Sequence, residues 1–168
     1  MKQITVKNTE KHPSPMTQLG FEDTVEVAIG ADLCTIDEAE DFIAEVPEKI
    51  PFMATSCCPA WSMMAKKLFP ERANCISMAM TPMVLTARMI KQANPDDRIC
   101  FIGPCAAKKL EASRRSVRSD VDFVLTFEEL AGMFEAKEVD FSALEASDDL
   151  QYGTADGRGF AVGGGVAQ

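Results

Sequence analysis

One layout occurs twice in the sequence and constrains the fold more than any other feature. A short apolar segment, residues 50–55, leads into TSCCPAW at 55–61 and a helical pattern, and a second, residues 98–102, leads into GPC at 103–105. Segments this short suit buried strands better than helices. Because strands that alternate with helices typically form a parallel sheet flanked by helices, the sequence predicts an α/β fold.

Both cysteine-containing turns follow the C-terminal end of a predicted strand, which is where open α/β sheets bind ligands. Cys57 and Cys58 are neighbours whose Cα atoms lie about 3.8 Å apart, whereas a disulfide needs roughly 4.4–6.8 Å. Pro59 suits the first turn of a helix, and the positive end of that helix would stabilise a nearby thiolate. The pattern favours metal ligation or thiol chemistry, although burial of both cysteines as small apolar side chains is an equal alternative for the pair taken alone.

Length, charge and hydropathy exclude several classes of protein. The chain has 168 residues, 46% of them hydrophobic, and can form one core. Its net charge of −9 argues against a nucleic-acid partner. No apolar stretch approaches the roughly 20 residues of a membrane span, and the N-terminus lacks the apolar core of a secretory signal. We therefore expect a cytoplasmic protein without a membrane span.

Six cysteines in a chain without an export signal are better explained as metal ligands or reduced thiols than as disulfides. Zinc is a poor candidate, because the sequence contains no C-x-x-C pair and His12 is its only histidine. Iron–sulfur clusters need cysteine and no histidine. Iron with thiolate ligands is therefore the metal chemistry that the composition allows.

Local patterns predict most of the elements. Residues 24–30 alternate like a strand, and Thr35 and Glu38 have the spacing of a capping box for a helix that Pro47 ends. The acidic face of this helix is most simply a solvated surface. The other expected elements are strands at 4–6, 74–80, 98–102 and 121–125, helices from Pro59 to about Leu68 and from Pro82 toward Asn94, a capping box at Thr126 and Glu129, a basic solvated face or loop at 108–118, and a strand and tight turn at 157–165.

TSCCPAW at 55–61, followed by GPCAAKKLE at 103–111, resembles two of the three signature motifs of the iron-only (FeFe) hydrogenase catalytic domain. The resemblance extends from about residue 21 to 168 and leaves residues 1–20 as a leader or tag-like segment. It implies that residues 21–168 form part of that domain, one lobe of a two-lobed structure. The third motif, with the remaining cluster cysteines, is expected beyond residue 168.

The resemblance implies specific roles at the two motifs. Members of the family contain the H-cluster, a 4Fe–4S cubane joined through a cysteine thiolate to a two-iron centre at which protons are reduced to H₂. Cys58 and Cys105 would be cubane ligands, and Cys57 would be the thiol that exchanges protons with the two-iron centre. Lys108 would donate a hydrogen bond to a cyanide ligand, and Glu111 would close the motif.

The family's proton path corresponds here to Ser77, Glu38 and, with a conservative change, Asp41. Glu38 and Asp41 share a helix face at spacing i, i+3, as members of a proton relay should. The cofactor pocket would also include Ala60 from the first motif and Gly103 and Pro104 from the second. Ala60 and Gly103 depart from the glycine and methionine that many members carry, which indicates a differently packed pocket.

With half of the cluster ligands, the chain by itself is expected to be inactive and to lack the H-cluster, and Cys34, Cys75 and Cys100 are expected to be core thiols. The leading hypothesis is a hydrogenase whose partners are protons and H₂, the remainder of the catalytic domain, and an electron carrier such as ferredoxin or another iron–sulfur domain. Alternatives are a non-catalytic iron–sulfur assembly protein and a redox- or H₂-sensing module. Assembly relatives generally lack the proton-transfer cysteine, so Cys57 favours the enzyme.

Overall fold

The computed structural model describes residues 14–144 and 153–161. The expected strand at 4–6 and the last part of the glycine-rich segment lie outside this range. The elements are helices α1 (Pro15–Gln18), α2 (Ala28–Glu45), α3 (Pro59–Leu68), α4 (Pro82–Ala93), α5 (Ala107–Ala112) and α6 (Phe127–Ala136), strands β1 (Cys100–Gly103) and β2 (Phe123–Thr126), and the 3-10 helices Pro70–Cys75, Phe141–Ala143 and Asp156–Ala161.

The two strands confirm the α/β prediction, because β1 and β2 pair in parallel with Cys100 opposite Phe123 and Gly103 opposite Thr126. Each begins two residues later than expected. A further parallel bridge joins Ala54 to Ile76. Within the described residues it is the only strand pairing in the segments 50–55 and 74–80, so the prediction that both are strands is wrong. This bridge holds the segment before the Cys-Cys turn against the segment that leads to α4.

The main core forms between α4 and the segment after α5. It consists of Met83, Val84, Ala87, Val117 and Val121, each less than a tenth exposed. Helix α4 begins as the sequence predicts, with Pro82 in its first turn and the Thr81 hydroxyl accepting from the Val84 N–H. The cap fixes the helix start and thereby the side that α4 turns toward the core.

The start of α2 corrects the sequence prediction. Residues 24–30 do not form a strand, and the helix begins at Ala28, so Thr35 lies inside it and its hydroxyl donates to the Ala31 carbonyl at 2.9 Å. The proposed capping box is therefore wrong. At Gly30 a side chain would overlap Thr86 of α4. Close packing against α4 thus extends the helix through residues whose local pattern favours a strand.

Two helices expose apolar side chains that amphipathic spacing would place in a core. On α2, which ends before Pro47 as predicted, Ile36, Phe42 and Ile43 are 48%, 49% and 77% exposed. Helix α3 has the predicted bounds, but it buries Pro59, Ser62 and Ala65 and leaves Leu68 64% exposed. In the described part of the chain, both helices therefore leave apolar side chains exposed.

Two segments in the C-terminal half of the chain differ in how well the local sequence predicts them. Thr126 and Glu129 form the predicted capping box, in which the Thr126 N–H donates to the Glu129 carboxylate at 2.8 Å. The glycine-rich segment forms a 3-10 helix over Asp156–Ala161 instead of a strand, because it docks on α2 through hydrogen bonds to Asp32. Among the helices of the described ranges, none is long and apolar enough to cross a membrane.

Candidate functional site

Lys108 connects the two cysteine motifs. Its ammonium group donates to the Cys57 carbonyl at 2.8 Å and to the Glu111 carboxylate at 2.8 Å. Lys108 and Glu111 are three residues apart on α5 and so share a face, whereas Cys57 lies 51 residues earlier in the sequence. The fold therefore brings together the residues that the sequence motifs single out.

Glu111 is a charged residue in a buried position, only 2% exposed. One carboxylate oxygen pairs with Lys108, and the other accepts a hydrogen bond from the Thr81 hydroxyl at 2.8 Å. A buried carboxylate is tolerated when it is paired and hydrogen-bonded in this way. Glu111 thus fixes the position of the Lys108 ammonium, and its expected place beside a cofactor stays a prediction.

The adjacent thiols of Cys57 and Cys58 contact different partners. Cys58 is the N-cap of α3, and its sulfur accepts from the Trp61 N–H at 3.5 Å. The Cys57 sulfur instead accepts from the Thr55 hydroxyl at 3.3 Å. Pro59 occupies the first turn of the helix, as the sequence predicts. These different surroundings are compatible with two separate chemical roles.

The second motif lies between β1 and α5. Gly103 is buried at the end of β1, Pro104 and Cys105 are exposed, and the Cys105 carbonyl accepts from the Lys108 N–H at 3.1 Å. Ala60, in the first motif, is exposed as well. Helices α3 and α5 are in contact, so the two motifs lie on neighbouring elements.

Metal ligation by Cys58 and Cys105 stays a prediction. Within the described residues no group of three or more cysteine, histidine or carboxylate side chains is arranged to hold a metal ion. If other parts of a protein supplied the remaining ligands of the site, this chain would need to supply only two thiolates.

Glu38 on α2 reaches toward the first cysteine motif. The Ser77 side chain and the Ser56 backbone lie close enough to its carboxylate to stabilise the charged form. Burial raises the pKa of Glu38 and the charge of Asp41 raises it further, while the Ser77 side chain and the Ser56 backbone lower it. Ser77 and Glu38, two of the three expected relay residues, therefore lie near each other, and proton transfer between them stays a prediction.

Asp41, the third relay residue, is exposed one turn further along α2. It borders a surface cavity of about 360 Å³. The cavity is lined by Asp37, Glu40, Asp41, Met78, Ala79 and Met80. Asp41 is thus open to solvent, and its role in proton transfer stays a prediction.

Cys34 and Thr81 are the site residues that sequence reasoning missed. Cys34 is 1% exposed and its thiol donates to the Met80 carbonyl at 2.9 Å. Burial raises the pKa of Cys34 to about 12, with smaller contributions from nearby charges that include Glu38 and Cys57. Cys34 is thus buried as expected, but it lies beside the candidate site. The signal in the sequence that could have identified Cys34 as a site residue was its spacing of four residues from Glu38, which places both on one face of α2.

Comparisons with known proteins show what this chain is similar to. The family described as "Iron only hydrogenase large subunit, C-terminal domain" matches residues 1–168. Iron hydrogenase 1 of Clostridium pasteurianum is 33% identical over 176 residues, which cover 95% of this chain and 31% of that protein. The cytosolic Fe-S cluster assembly factor NAR1 of Kluyveromyces lactis is 35% identical over 98 residues, covering 58% of this chain and 21% of that protein.

A solved [FeFe]-hydrogenase structure, from work on oxygen inactivation of the H cluster, superposes with a TM-score of 0.69 at 25% identity. The match covers 79% of this chain and 38% of that structure. The similarity therefore extends well beyond the two cysteine motifs. The chain spans less than a third of the length of the curated relatives reported above, at 31% and 21%.

Proposed function

The chain belongs to the C-terminal-domain family of iron-only hydrogenase large subunits, and from this premise we propose that it forms one lobe of a catalytic domain that interconverts protons and H₂. One observation carries the proposal. Lys108 bonds to the Cys57 carbonyl and to buried Glu111 and so joins the two cysteine motifs. An ammonium group in that position suits an anionic cofactor, because a charge-assisted hydrogen bond is strong in a partly buried site.

The side chains present fit part of the H-cluster's ligand set. Cys58 and Cys105 would supply two of the cysteine thiolates that a 4Fe–4S cubane needs, and Ala60, Gly103 and Pro104 would border its pocket. Both thiols are at least partly exposed, so they are accessible to a cofactor. When bound, the H-cluster would supply the iron centre at which protons are reduced, with electrons delivered by an electron partner. The electron partner would be ferredoxin or another iron–sulfur domain.

The proposed work of the chain's own residues is to position the cofactor and move protons. Cys57 would hold the proton nearest the reaction, and Glu38, Ser77 and Asp41 would exchange protons with solvent. The raised pKa of Glu38 suits this role, since a group transfers protons best when its pKa is close to the working pH. Lys108, held by Glu111, would orient the cofactor through its hydrogen bonds.

The similarity to NAR1 supports a second candidate function, a role in iron–sulfur cluster assembly without H₂ chemistry. The NAR1 match is 35% identical but covers only 58% of this chain. The two candidates differ in what they require of Cys57. Hydrogenase activity needs it as a proton donor and acceptor, whereas an assembly protein needs only the cluster ligands.

The test replaces each of the adjacent cysteines by serine in a full-length protein that contains this chain. We expect Cys57→Ser to retain its iron and to lower H₂ evolution by about 100-fold or more, because a hydroxyl is a far weaker acid than a thiol. Cys58→Ser should lose iron, because a hard oxygen replaces a thiolate ligand. Iron analysis and H₂ evolution are measured on both variants.

Two outcomes would contradict parts of this proposal. Full H₂ evolution in both variants would show that the assigned site is wrong. A wild-type protein that binds the cluster, transfers iron–sulfur clusters and evolves no H₂ would instead favour the assembly function.

A further inference from the structure

The turn between α5 and β2 presents three arginines from a chain that is otherwise acidic. Arg114, Arg115 and Arg118 are exposed, although the whole chain carries a net charge of −9. Nearby basic residues are paired with carboxylates: Arg88 with Asp120, Lys91 and Arg98 with Asp122, Lys108 with Glu111, and Lys109 with Glu129. Across the described ranges, no salt bridge involves any of the three arginines.

The backbone that carries these arginines is fixed on several sides. From α4, Arg88 donates to the Ser116 carbonyl at 3.0 Å and Lys91 donates to the Ser119 carbonyl at 2.9 Å. Val117 is buried in the main core, 7% exposed. A surface whose backbone is already ordered loses less conformational entropy when a partner binds. The turn is therefore a pre-organised basic surface.

We propose that Arg114, Arg115 and Arg118, here called the arginine turn, form a docking surface for an acidic face of a partner protein. Guanidinium groups bind carboxylates through paired hydrogen bonds, and a local positive patch on a negative molecule orients an incoming acidic partner. Nucleic acid and anionic membranes fit less well, because three arginines offer few of the phosphate contacts on which such binding depends. This inference does not rest on the proposed hydrogenase function.

The test measures binding of a fluorescein-labelled oligoglutamate peptide to this chain by fluorescence anisotropy at low ionic strength. In one variant, R114E/R115E, two charges of the arginine turn are reversed. The matched control K66E/K67E reverses two exposed charges at the end of α3 and changes the net charge equally. We expect R114E/R115E to weaken binding at least about tenfold and K66E/K67E by about twofold or less, since local contacts outweigh net charge. Added salt should weaken the wild-type interaction.

A third variant, R114K/R115K, keeps the charge but removes the planar fork, and it should bind more tightly than R114E/R115E. Circular dichroism verifies that all variants are folded. The inference is overturned if R114E/R115E and K66E/K67E weaken binding equally, if the wild-type chain does not bind oligoglutamate, or if it binds a DNA duplex or anionic phosphatidylserine vesicles more tightly. Because no step measures H₂ evolution, failure here leaves the proposed function unaffected.

Discussion

Asp122 shows how one residue can hold several elements together. It accepts hydrogen bonds from the Ile99 N–H, from Lys91 on α4 and from Arg98. Burial by itself raises the pKa of Asp122, but these donors outweigh it and lower the pKa to about 2. The folded state therefore holds the ionised carboxylate more strongly than the unfolded chain does.

Replacement of this carboxylate should cost stability in a pH-dependent way. The folded pKa of about 2 lies below the unfolded value of about 3.9, so the contribution is present above about pH 4 and is lost as pH falls toward 2. We expect Asp122→Asn to lower the free energy of unfolding by about 2 kcal/mol at pH 7, and by much less at pH 2. Urea unfolding at both pH values measures this difference.

The control for Asp122 is Asp96→Asn, at an exposed position before β1. Its effect should stay below about 0.5 kcal/mol, as for most surface substitutions. Equal losses for Asp122→Asn at pH 7 and pH 2 would show that packing, not charge, explains the effect.

Some site residues were predicted from the sequence and others were missed. The two groups differ in how many residues separate each one from its hydrogen-bond partner along the chain. Lys108 and Glu111 are three residues apart, and their ion pair follows from helix geometry. The contact of Lys108 with the Cys57 carbonyl, 51 residues away, was not predicted. The resemblance to a known family placed both residues at one site and assigned Lys108 a cyanide ligand as its partner. Thr81 and Cys34 were missed, because their partners lie 30 and 46 residues away and depend on how helices pack.

Local signals were sufficient to predict where a helix begins when the signal lies within a few residues of that start. Helices α3 and α4 begin at prolines, and the Thr126 cap opens α6, as the sequence predicts. The same reasoning placed the start of α2 about seven residues too late, because Gly30 and Asp32 act through distant partners, Thr86 and the segment 153–157. Tertiary contacts, which a local pattern does not contain, decided this helix start.

Asp32 connects α2 to the segment 153–157. Its carboxylate accepts hydrogen bonds from the Thr154 N–H and, at 2.6 Å, from the Gly157 N–H. The hydrogen bond from the Gly157 N–H lowers the pKa of Asp32, and this effect is larger than the opposite effect of burial, which raises the pKa. A side chain at Gly157 would overlap the backbone of Ala31 and Asp32. The glycine and the aspartate together allow close contact between the segment and the helix.

Asp32→Ala should therefore release this segment while the main core stays folded. We expect the Thr154 and Gly157 amides to exchange hydrogen at least about tenfold faster, which corresponds to about 1.4 kcal/mol, because both lose their acceptor. Hydrogen exchange followed by mass spectrometry measures this change. Asp37→Ala, at an exposed position of the same helix, is the control and should leave both rates unchanged. Unaltered protection in Asp32→Ala would mean that other contacts hold the segment.

Several large apolar side chains are exposed in the described part of the whole molecule. Leu68 is 64% exposed and Met78 is 85% exposed. Beside α3 an apolar cavity of about 220 Å³ is lined by Phe52, Ala54, Trp61, Ala65, Phe69, Arg72 and Ile76. Contiguous apolar surface usually marks an interaction site. The proposal that this chain is one lobe of a larger catalytic domain accounts for these faces as contacts with the remaining part of that domain.

The chain should fold without iron. The main core consists of Met83, Val84, Ala87, Val117 and Val121, and it includes none of the proposed ligands. Metal binding supplies the folding free energy of domains that lack such a core, whereas here apolar burial is available without it. We therefore expect the chain to purify with far less than stoichiometric cluster iron. A chelator should leave its circular dichroism unchanged and shift its melting temperature by less than about 2 °C.

Cys58→Ser is the matched control for this prediction, because it removes a proposed ligand without touching the core. Its melting temperature should be equal to or slightly above that of the wild-type chain, since Cys58 is the N-cap of α3 and serine is a preferred N-cap residue. Elemental analysis and thermal unfolding are measured on both proteins before and after chelation. Near-stoichiometric iron in the wild-type chain, together with a large drop in melting temperature after chelation or in Cys58→Ser, would show that the cluster contributes to the fold. In that case the cysteine motifs would have to be treated as part of the structural core of this lobe.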